Sequence, residues 1–150
     1  MSNPIEGGCR CGQVRFRLNL ERLPKAYACH CLDCQTWSGS AFSLNFPVPE
    51  DSVEVIRGEP ALFELTHPDG SRTSRQRGCA RCFTRVFNTN TRRPGVAVIR
   101  GGSLDRSNEL KIVAHMWTKR KLGGIDIPAS APQSPEGPED PAAFFAALAG

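Results

Sequence analysis

The chain has 150 residues, a hydrophobic fraction of 39% and a formal net charge of +4. Length and composition are those of one ordinary globular domain, and no apolar run approaches the roughly 20 residues that cross a bilayer. The N-terminus lacks the basic and apolar segments of a secretory signal, so we expect a cytoplasmic protein whose cysteines stay reduced.

Short segments of alternating polar and apolar residues run through most of the chain. Residues 13–20 alternate cleanly, which predicts a half-buried strand, and residues 42–46 repeat the pattern. Further strands are predicted over residues 53–57, 62–67, 71–77, 83–88, 96–100 and 110–117. The segments 62–67 and 71–77 flank Pro68-Asp69-Gly70, which favours a hairpin. No long helical period occurs before residue 130, so the predicted fold is mainly β.

The composition changes after Ile127. Five prolines interrupt residues 128–141, which predicts an extended and poorly structured linker. Asp140 and Pro141 are typical of an N-cap and a first helical position, so a short C-terminal helix is predicted over residues 142–148. We therefore divide the chain into a β domain, 1–127, and a proline-rich tail with a helix, 128–150. We expect the helix to pack on its own domain; a dimer contact or a flap over a site is the alternative.

Charge is distributed unevenly along the chain. Residues 128–150 carry three acidic residues and no Lys or Arg, so the remainder has a charge of +4 plus 3, or +7. The stretch from Ser71 to Arg100 has no acidic residue but these arginines: Arg72, Arg75, Arg77, Arg81, Arg85, Arg92, Arg93 and Arg100. Such a stretch attracts an anionic substrate or nucleic acid, or it forms a solvated arginine-rich sheet face.

Seven cysteines fall into three close groups, which is the most informative feature of the sequence. The groups are Cys9-Arg10-Cys11, Cys29-His30-Cys31-Leu32-Asp33-Cys34 and Cys79-Ala80-Arg81-Cys82. Two cysteines separated by one residue share a face in an extended backbone. The spacing of Cys79 and Cys82 is typical of zinc sites. Clustered cysteines in a reduced compartment indicate a metal or catalysis.

The seven cysteines divide naturally into a set of four and a set of three. The first and last groups together would close a tetrahedral zinc site that links remote strands. The middle group would leave one coordination position open for water or substrate, as catalytic zinc sites do. Spacing alone also allows the middle group to recruit one distal cysteine, or all seven to be buried free thiols.

Other candidate residues carry weaker signals. His30 lies between two residues that share a face, so we expect it to point away from the metal. His115 is either an acid/base group or a sheet histidine with a satisfied hydrogen bond. Trp37 and Trp117 either line a substrate cleft or pack in the core. Ser38 and Ser40 either bind a ligand or form the turn around Gly39.

The sequence resembles the glutathione-dependent formaldehyde-activating enzyme family, which also includes centromere protein V. The resemblance covers roughly residues 7 to 127. Three stretches carry it: residues 8–12, 29–42 and 79–82. It implies coiled, mostly antiparallel β-sheets around zinc. It assigns a structural zinc to Cys9, Cys11, Cys79 and Cys82, and a catalytic zinc to Cys29, Cys31 and Cys34. Phe83 stands where the family usually has glycine.

The resemblance implies a carbon–sulfur lyase that acts on a thiol such as glutathione and a small aldehyde such as formaldehyde. The arginine-rich stretch would supply cations for the two carboxylates of glutathione. One alternative is a zinc-containing binding module whose arginine-rich surface contacts nucleic acid or protein. Few aromatic residues accompany these arginines, which disfavours nucleic acid. A redox-sensing thiol cluster is a third interpretation. We expect no membrane partner, and a homodimer is an open alternative.

Overall fold

The computed structural model describes residues 3–149. Its contacts group the chain into two compact units, each built from two separate segments. The first unit contains the N-terminal segment up to Leu23 and residues 47–109, and the second contains residues 24–46 and the segment from Leu110 onward. The predicted boundary at residue 127 falls inside the second unit. The fold is mainly β, as predicted, with ten strands and two α-helices among the described residues.

A three-stranded antiparallel sheet joins the two segments of the first unit. Its order is β1 (Ile5–Gly8), β2 (Arg15–Leu18) and β5 (Val53–Arg57). The alternation in β2 buries Phe16 and Leu18, which are 0% and 2% exposed. The prediction of a strand here is confirmed, although the strand is shorter than its alternating pattern.

Four antiparallel strands complete the first unit. They are β6 (Ala61–Thr66), β7 (Thr73–Gly78), β8 (Arg85–Asn90) and β9 (Val96–Arg100). The predicted hairpin between β6 and β7 is confirmed. His67 N donates to Arg72 O at 2.9 Å across the turn, and Gly70 has a φ of 72°, which a glycine adopts without strain.

The second unit is organised around β3 (Ala26–Cys29), whose four residues are all buried. β3 pairs in antiparallel fashion with the first part of β4 (Ser43–Pro49) and in parallel fashion with β10 (Ile112–Met116). This parallel pair is an exception to the expected antiparallel sheets. Sequence analysis missed β3 because a strand buried on both faces shows no alternation.

The proline-rich segment is extended, as predicted, but the expectation that it is poorly structured is wrong. Its backbone lies beside β10 and exchanges hydrogen bonds with it. His115 N donates to Pro132 O at 2.9 Å, Ser134 N donates to His115 O at 3.1 Å, and Trp117 N donates to Glu136 O at 2.9 Å. Prolines are tolerated here because the segment contributes mainly carbonyl oxygens, which proline retains, and in these contacts the N–H comes from Ser134.

The C-terminal helix α2 (Pro141–Ala149) begins as predicted. Asp140 Oδ1 accepts a hydrogen bond from Ala143 N at 3.0 Å, which is an N-cap contact. The Tyr27 ring lies 5.5 Å from Phe144 and 5.6 Å from Phe145, and Leu148 is 1% exposed. The helix therefore packs on its own unit. No helix within residues 3–149 has the length and apolar character needed to cross a membrane.

Candidate metal centres

Four cysteines of the first unit place their sulfur atoms together, and we call them the four-sulfur group: Cys9, Cys11, Cys79 and Cys82. All four Sγ atoms lie within 4.8 Å of one another. Cys11 Sγ lies 3.5 Å from Cys9 Sγ and 3.8 Å from Cys79 Sγ. A tetrahedral zinc with Zn–S bonds of about 2.3 Å separates its sulfurs by about 3.8 Å. These distances therefore fit zinc.

Cys9 and Cys11 converge through a turn rather than through the extended backbone that we expected. Gly12 N donates to Cys9 O at 3.1 Å, and Cys9 N donates to Val14 O at 3.0 Å. Val14 N also donates to Cys9 Sγ at 3.2 Å. Gly12 has a φ of 80°, and nothing lies within 4 Å of the position where a Cβ would stand. Conformation, not space, is the reason for glycine at this position.

The second pair lies in the turn between β7 and β8. Phe83 N donates to Cys79 O at 2.9 Å and Cys79 N donates to Thr84 O at 2.9 Å, which closes the turn. Phe83 takes the left-handed conformation, with a φ of 63°, and its side chain is 90% exposed. Phe83 therefore forms this turn in a backbone conformation that costs about 1–2 kcal/mol for a residue with a Cβ.

The Thr84 hydroxyl connects the two turns of the four-sulfur group. It accepts a hydrogen bond from Arg10 N at 3.1 Å and lies 3.2 Å from Cys82 Sγ. Hydrogen bonding by the Thr84 hydroxyl lowers the pKa of the Cys82 thiol to about 5. Cys82 is therefore a thiolate at neutral pH, which is the form that binds a metal.

Three cysteines of the second unit form the three-sulfur group: Cys29, Cys31 and Cys34. Their Sγ atoms all lie within 4.8 Å of one another. Cys29 ends β3, Cys31 is the N-cap of helix α1 (Leu32–Ser38), and Cys34 lies in the first turn of that helix. No fourth His, Cys, Asp or Glu ligand atom of residues 3–149 lies within that distance of all three.

Helix α1, which the sequence analysis did not predict, brings Cys34 close to the other two cysteines. Cys31 Sγ accepts a hydrogen bond from Cys34 N at 3.3 Å, so the sulfur itself caps the helix. Gly39 ends the helix with a φ of 63°, and its N–H bonds to Gln35 O at 2.9 Å. Seven residues form too short a helix for a periodic pattern to reveal it.

The three-sulfur group lies at the edge of an apolar cluster. Cys29 is buried among Tyr27, Ala114, Met116 and Leu148, whereas Cys31 and Cys34 are half-buried. Hydrogen bonding among the three thiols raises the pKa of Cys29 and lowers the pKa of Cys31.

His30 belongs to neither sulfur group. Its side chain is 0% exposed, and its Nε2 lies 3.0 Å from Nδ1 of His115, a buried residue of β10. His30 Nδ1 has no hydrogen-bond partner among the described residues. Burial lowers the pKa of both histidines, so the pair is neutral near pH 7.

The remaining candidates of the sequence analysis take part in local structure. Ser38 Oγ donates to Phe42 O at 3.3 Å and accepts from Ser40 N at 3.2 Å, so both serines form the turn after α1. The Trp117 side chain is half-buried, and its backbone has the left-handed conformation, with a φ of 59°. Trp37 is half-buried in α1.

Three of the eight arginines between residues 71 and 100 connect neighbouring strands of the first unit. Arg75 Nε lies 3.4 Å from Glu64 Oε1, Arg85 Nη2 donates to Gln76 Oε1 at 2.6 Å, and Arg100 donates to Asn88. These contacts support the interpretation as a sheet face. A role of the stretch in binding an anion stays a prediction.

Sequence analysis missed Gln35, because glutamine has no spacing signal of its own. Its side-chain amide donates to the carbonyl oxygens of His30 and Arg120, both at 2.8 Å. The partners are separated from Gln35 by 5 and 85 residues respectively.

Comparisons with known proteins identify the family of the chain. Residues 4–120 match the model of the family described as glutathione-dependent formaldehyde-activating enzyme. A Halomonas elongata protein named "Putative glutathione-dependent formaldehyde-activating enzyme" is 28% identical over 92 residues, which are 60% of this chain and 59% of that protein. The chain thus spans less than two thirds of the length of that relative.

A solved structure also resembles the fold. The crystal structure of a Rhodobacter sphaeroides protein, a structural genomics target, aligns with a TM-score of 0.52 and 16% sequence identity. The alignment covers 85% of this chain and 98% of that one. On the strength of the family match, the chain belongs to the glutathione-dependent formaldehyde-activating enzyme family.

Proposed function

We propose that this member of the family is a zinc-dependent carbon–sulfur lyase of the cytoplasm. It would join glutathione, or a similar thiol, to a small aldehyde such as formaldehyde, and catalyse the reverse cleavage. The observation that carries the proposal is the three-sulfur group, in which three sulfurs converge without a fourth protein ligand among residues 3–149. Catalytic zinc sites combine three protein ligands with one open position.

The donor chemistry of both groups fits zinc. Thiolates are preferred zinc ligands, and four of them make a closed structural site. We therefore assign a structural zinc to the four-sulfur group and a catalytic zinc to the three-sulfur group. Cys9, Cys11, Cys79 and Cys82 would hold the first ion. Cys29, Cys31 and Cys34 would hold the second.

In the reaction, the thiol sulfur bonds to the carbonyl carbon and the thiol proton ends on the carbonyl oxygen. The reverse reaction breaks this carbon–sulfur bond and restores the thiol. A zinc ion held by Cys29, Cys31 and Cys34 would supply the positive charge that lowers the pKa of a thiol bound beside it. The three thiolates of the protein make the site negative overall, which favours a soft sulfur ligand over hydroxide.

Recognition of glutathione requires cations for its carboxylates. Within the second unit, Arg120 is exposed, and its carbonyl is connected to α1 by Gln35. Lys119 forms an ion pair with Glu136, and Lys121 Nζ donates to Ile125 O at 2.7 Å. We therefore take Arg120 as the first candidate for a carboxylate contact in this unit.

The test supplies glutathione and formaldehyde to the zinc-loaded protein and measures adduct formation. We expect Cys31→Ser to abolish the catalysed rate, because it removes one of three metal ligands. Thr36→Ala, an exposed position of the same helix, is the matched control and should leave the rate unchanged. Equal rates of adduct formation for wild type and Cys31→Ser would exclude this activity as the function of the three-sulfur group. Metal analysis should give about two zinc ions per chain.

A zinc-containing binding module is the second candidate function. The observation that favours it is the Phe83 side chain, 90% exposed in a turn that also carries the exposed Arg81. An aromatic ring beside arginine can stack on a base of single-stranded nucleic acid. The affinity for nucleic acid would fall measurably as the salt concentration rises. Absence of binding to a single-stranded oligonucleotide at low salt would exclude nucleic acid as the partner.

A further inference from the structure

One polar side chain holds the backbone between two ligands of the three-sulfur group. Gln35 Nε2 donates to His30 O and to Arg120 O, each at 2.8 Å. Both partners are carbonyl oxygens, which only accept, so the amide nitrogen and not the amide oxygen must face them. The two N–H groups of one amide therefore connect the Cys29–Cys31 segment to the chain that follows β10.

His30 is fixed to that same part of the chain by two further contacts. Its backbone N donates to Met116 O at 3.0 Å, and its side-chain Nε2 lies 3.0 Å from His115 Nδ1. The backbone N–H, the carbonyl and the side-chain Nε2 of His30 are thus all engaged. Because His30 stands directly between Cys29 and Cys31, a shift of its peptide groups would move both sulfurs.

A metal site with an open position needs this kind of support. In a closed four-ligand site, the ligands themselves fix one another around the ion. With three ligands, the geometry of the vacancy depends on how firmly the protein orients the ligands that remain. Two 2.8 Å hydrogen bonds from a half-buried amide supply such an orientation.

We propose that Gln35 is a positioning residue of the three-sulfur zinc site: it holds the His30 carbonyl and thereby keeps Cys29 and Cys31 in the geometry that leaves one position open. The inference rests on the proposed zinc function of this group. It does not extend to the four-sulfur group, where the Thr84 hydroxyl and backbone N–H groups make the corresponding contacts.

The experiment compares variants of the full chain with two zinc ions bound. Gln35→Met keeps the length of the side chain and removes both donors. Gln35→Lys restores an N–H donor group at the end of a chain of similar reach. Thr36→Ala changes an exposed residue of the same helix and is the control. A chelator titration measures zinc affinity, and the absorption spectrum of the cobalt-substituted protein reports ligand geometry.

We expect Gln35→Met to weaken zinc at the three-sulfur group by about 10- to 100-fold, the usual effect of removing a hydrogen bond behind a metal ligand. The four-sulfur group should retain its zinc affinity, and the cobalt spectrum should change only in the component from the three-sulfur group. Gln35→Lys should restore part of the affinity, and Thr36→Ala should match wild type.

Unchanged affinity and an unchanged cobalt spectrum in Gln35→Met would overturn the inference. Loss of the whole fold in Gln35→Met would also count against it, because Gln35 would then support the structure in general rather than the site. A wild-type chain that binds only one zinc ion would instead refute the proposed function. The failures of the inference and of the function are therefore distinguishable.

Discussion

The two sulfur groups are supported in different ways. The four-sulfur group lies in two tight turns, and the buried residues around it form a small cluster of Cys9, Val14 and Cys79, with Cys82 packed against it. The three-sulfur group lies where a buried strand meets a capped helix, beside an apolar cluster that includes Tyr27 and Leu148. Each group also has one polar side chain that connects its segments, Thr84 in the first and Gln35 in the second.

Under the proposed function, this difference would divide the roles of the two groups between stability and chemistry. Turns joined by little apolar packing depend on the metal to hold them together, because a few buried residues offset little of the entropy of ordering the loops. A group placed beside an aromatic cluster keeps its geometry without a fourth ligand. Under the proposed function, the open position of this group would then be available for substrate.

The sharpest test of the comparison removes one cysteine from each group. We expect Cys79→Ser to unfold much of the first unit, because structural zinc contributes about 10–16 kcal/mol of binding free energy that is coupled to folding. Cys31→Ser should lose one zinc ion and keep its circular dichroism spectrum and its cooperative thermal transition. Equal destabilisation by the two changes would contradict the proposed division of labour.

The apolar support of the three-sulfur group is tested by Leu148→Ala. Leu148 is 1% exposed, so the change leaves a cavity, and we expect the free energy of unfolding to fall by about 2–5 kcal/mol. Urea denaturation of the metal-loaded protein measures the loss. Ala147→Ser, at an exposed position of the same helix, is the control and should have little effect. A small loss in Leu148→Ala would show that the cluster does not support this unit.

The polar support of the four-sulfur group is tested by Thr84→Val, which keeps the shape and removes the hydroxyl. We expect a loss of about 0.5–1.5 kcal/mol, as for one typical hydrogen bond. The pKa of Cys82, which Thr84 lowers to about 5, should rise, so protons compete with zinc at higher pH. The pH at which half of this zinc is released should therefore move upward. Thr84→Ser keeps the hydroxyl and should resemble wild type.

The smallest expected effect concerns Phe83. Its left-handed backbone, with a φ of 63°, costs about 1–2 kcal/mol for a residue with a Cβ, and glycine removes this strain. Glycine loses more conformational entropy on folding, so we expect Phe83→Gly to stabilise the first unit by about 0.5–1 kcal/mol. Arg81 lies in the same turn but does not have a positive φ. Arg81→Gly should therefore destabilise the first unit instead, because it relieves no strain. A destabilised Phe83→Gly would mean that the exposed ring makes a favourable contact.

Strands and helices were predicted well where a pattern of neighbouring residues in the sequence marks them. The strands β5 and β9 have the bounds given by their sequence patterns, because breakers flank each of them. The hairpin of β6 and β7 follows from Pro68-Asp69-Gly70. β3 was missed because burial on both faces removes its alternation, and α1 was missed because its cap is a cysteine sulfur, which is not a usual N-cap.

Sequence alone determined which residues are candidates for the metal sites, since clustered cysteines at short spacing have few uses in a chain whose cysteines are expected to be reduced. It also determined the start of α2, because Asp140 and Pro141 act within one turn of the helix. Both are local properties of the chain.

Only the tertiary structure decided how the cysteines divide and what supports them. The contact between Cys11 and Cys79 joins residues 68 apart, and Gln35 meets the Arg120 carbonyl across 85 residues. The neutral pair of His30 and His115 also spans 85 residues. Contacts at such separations depend on strand pairing and burial along the whole chain, which no local pattern encodes.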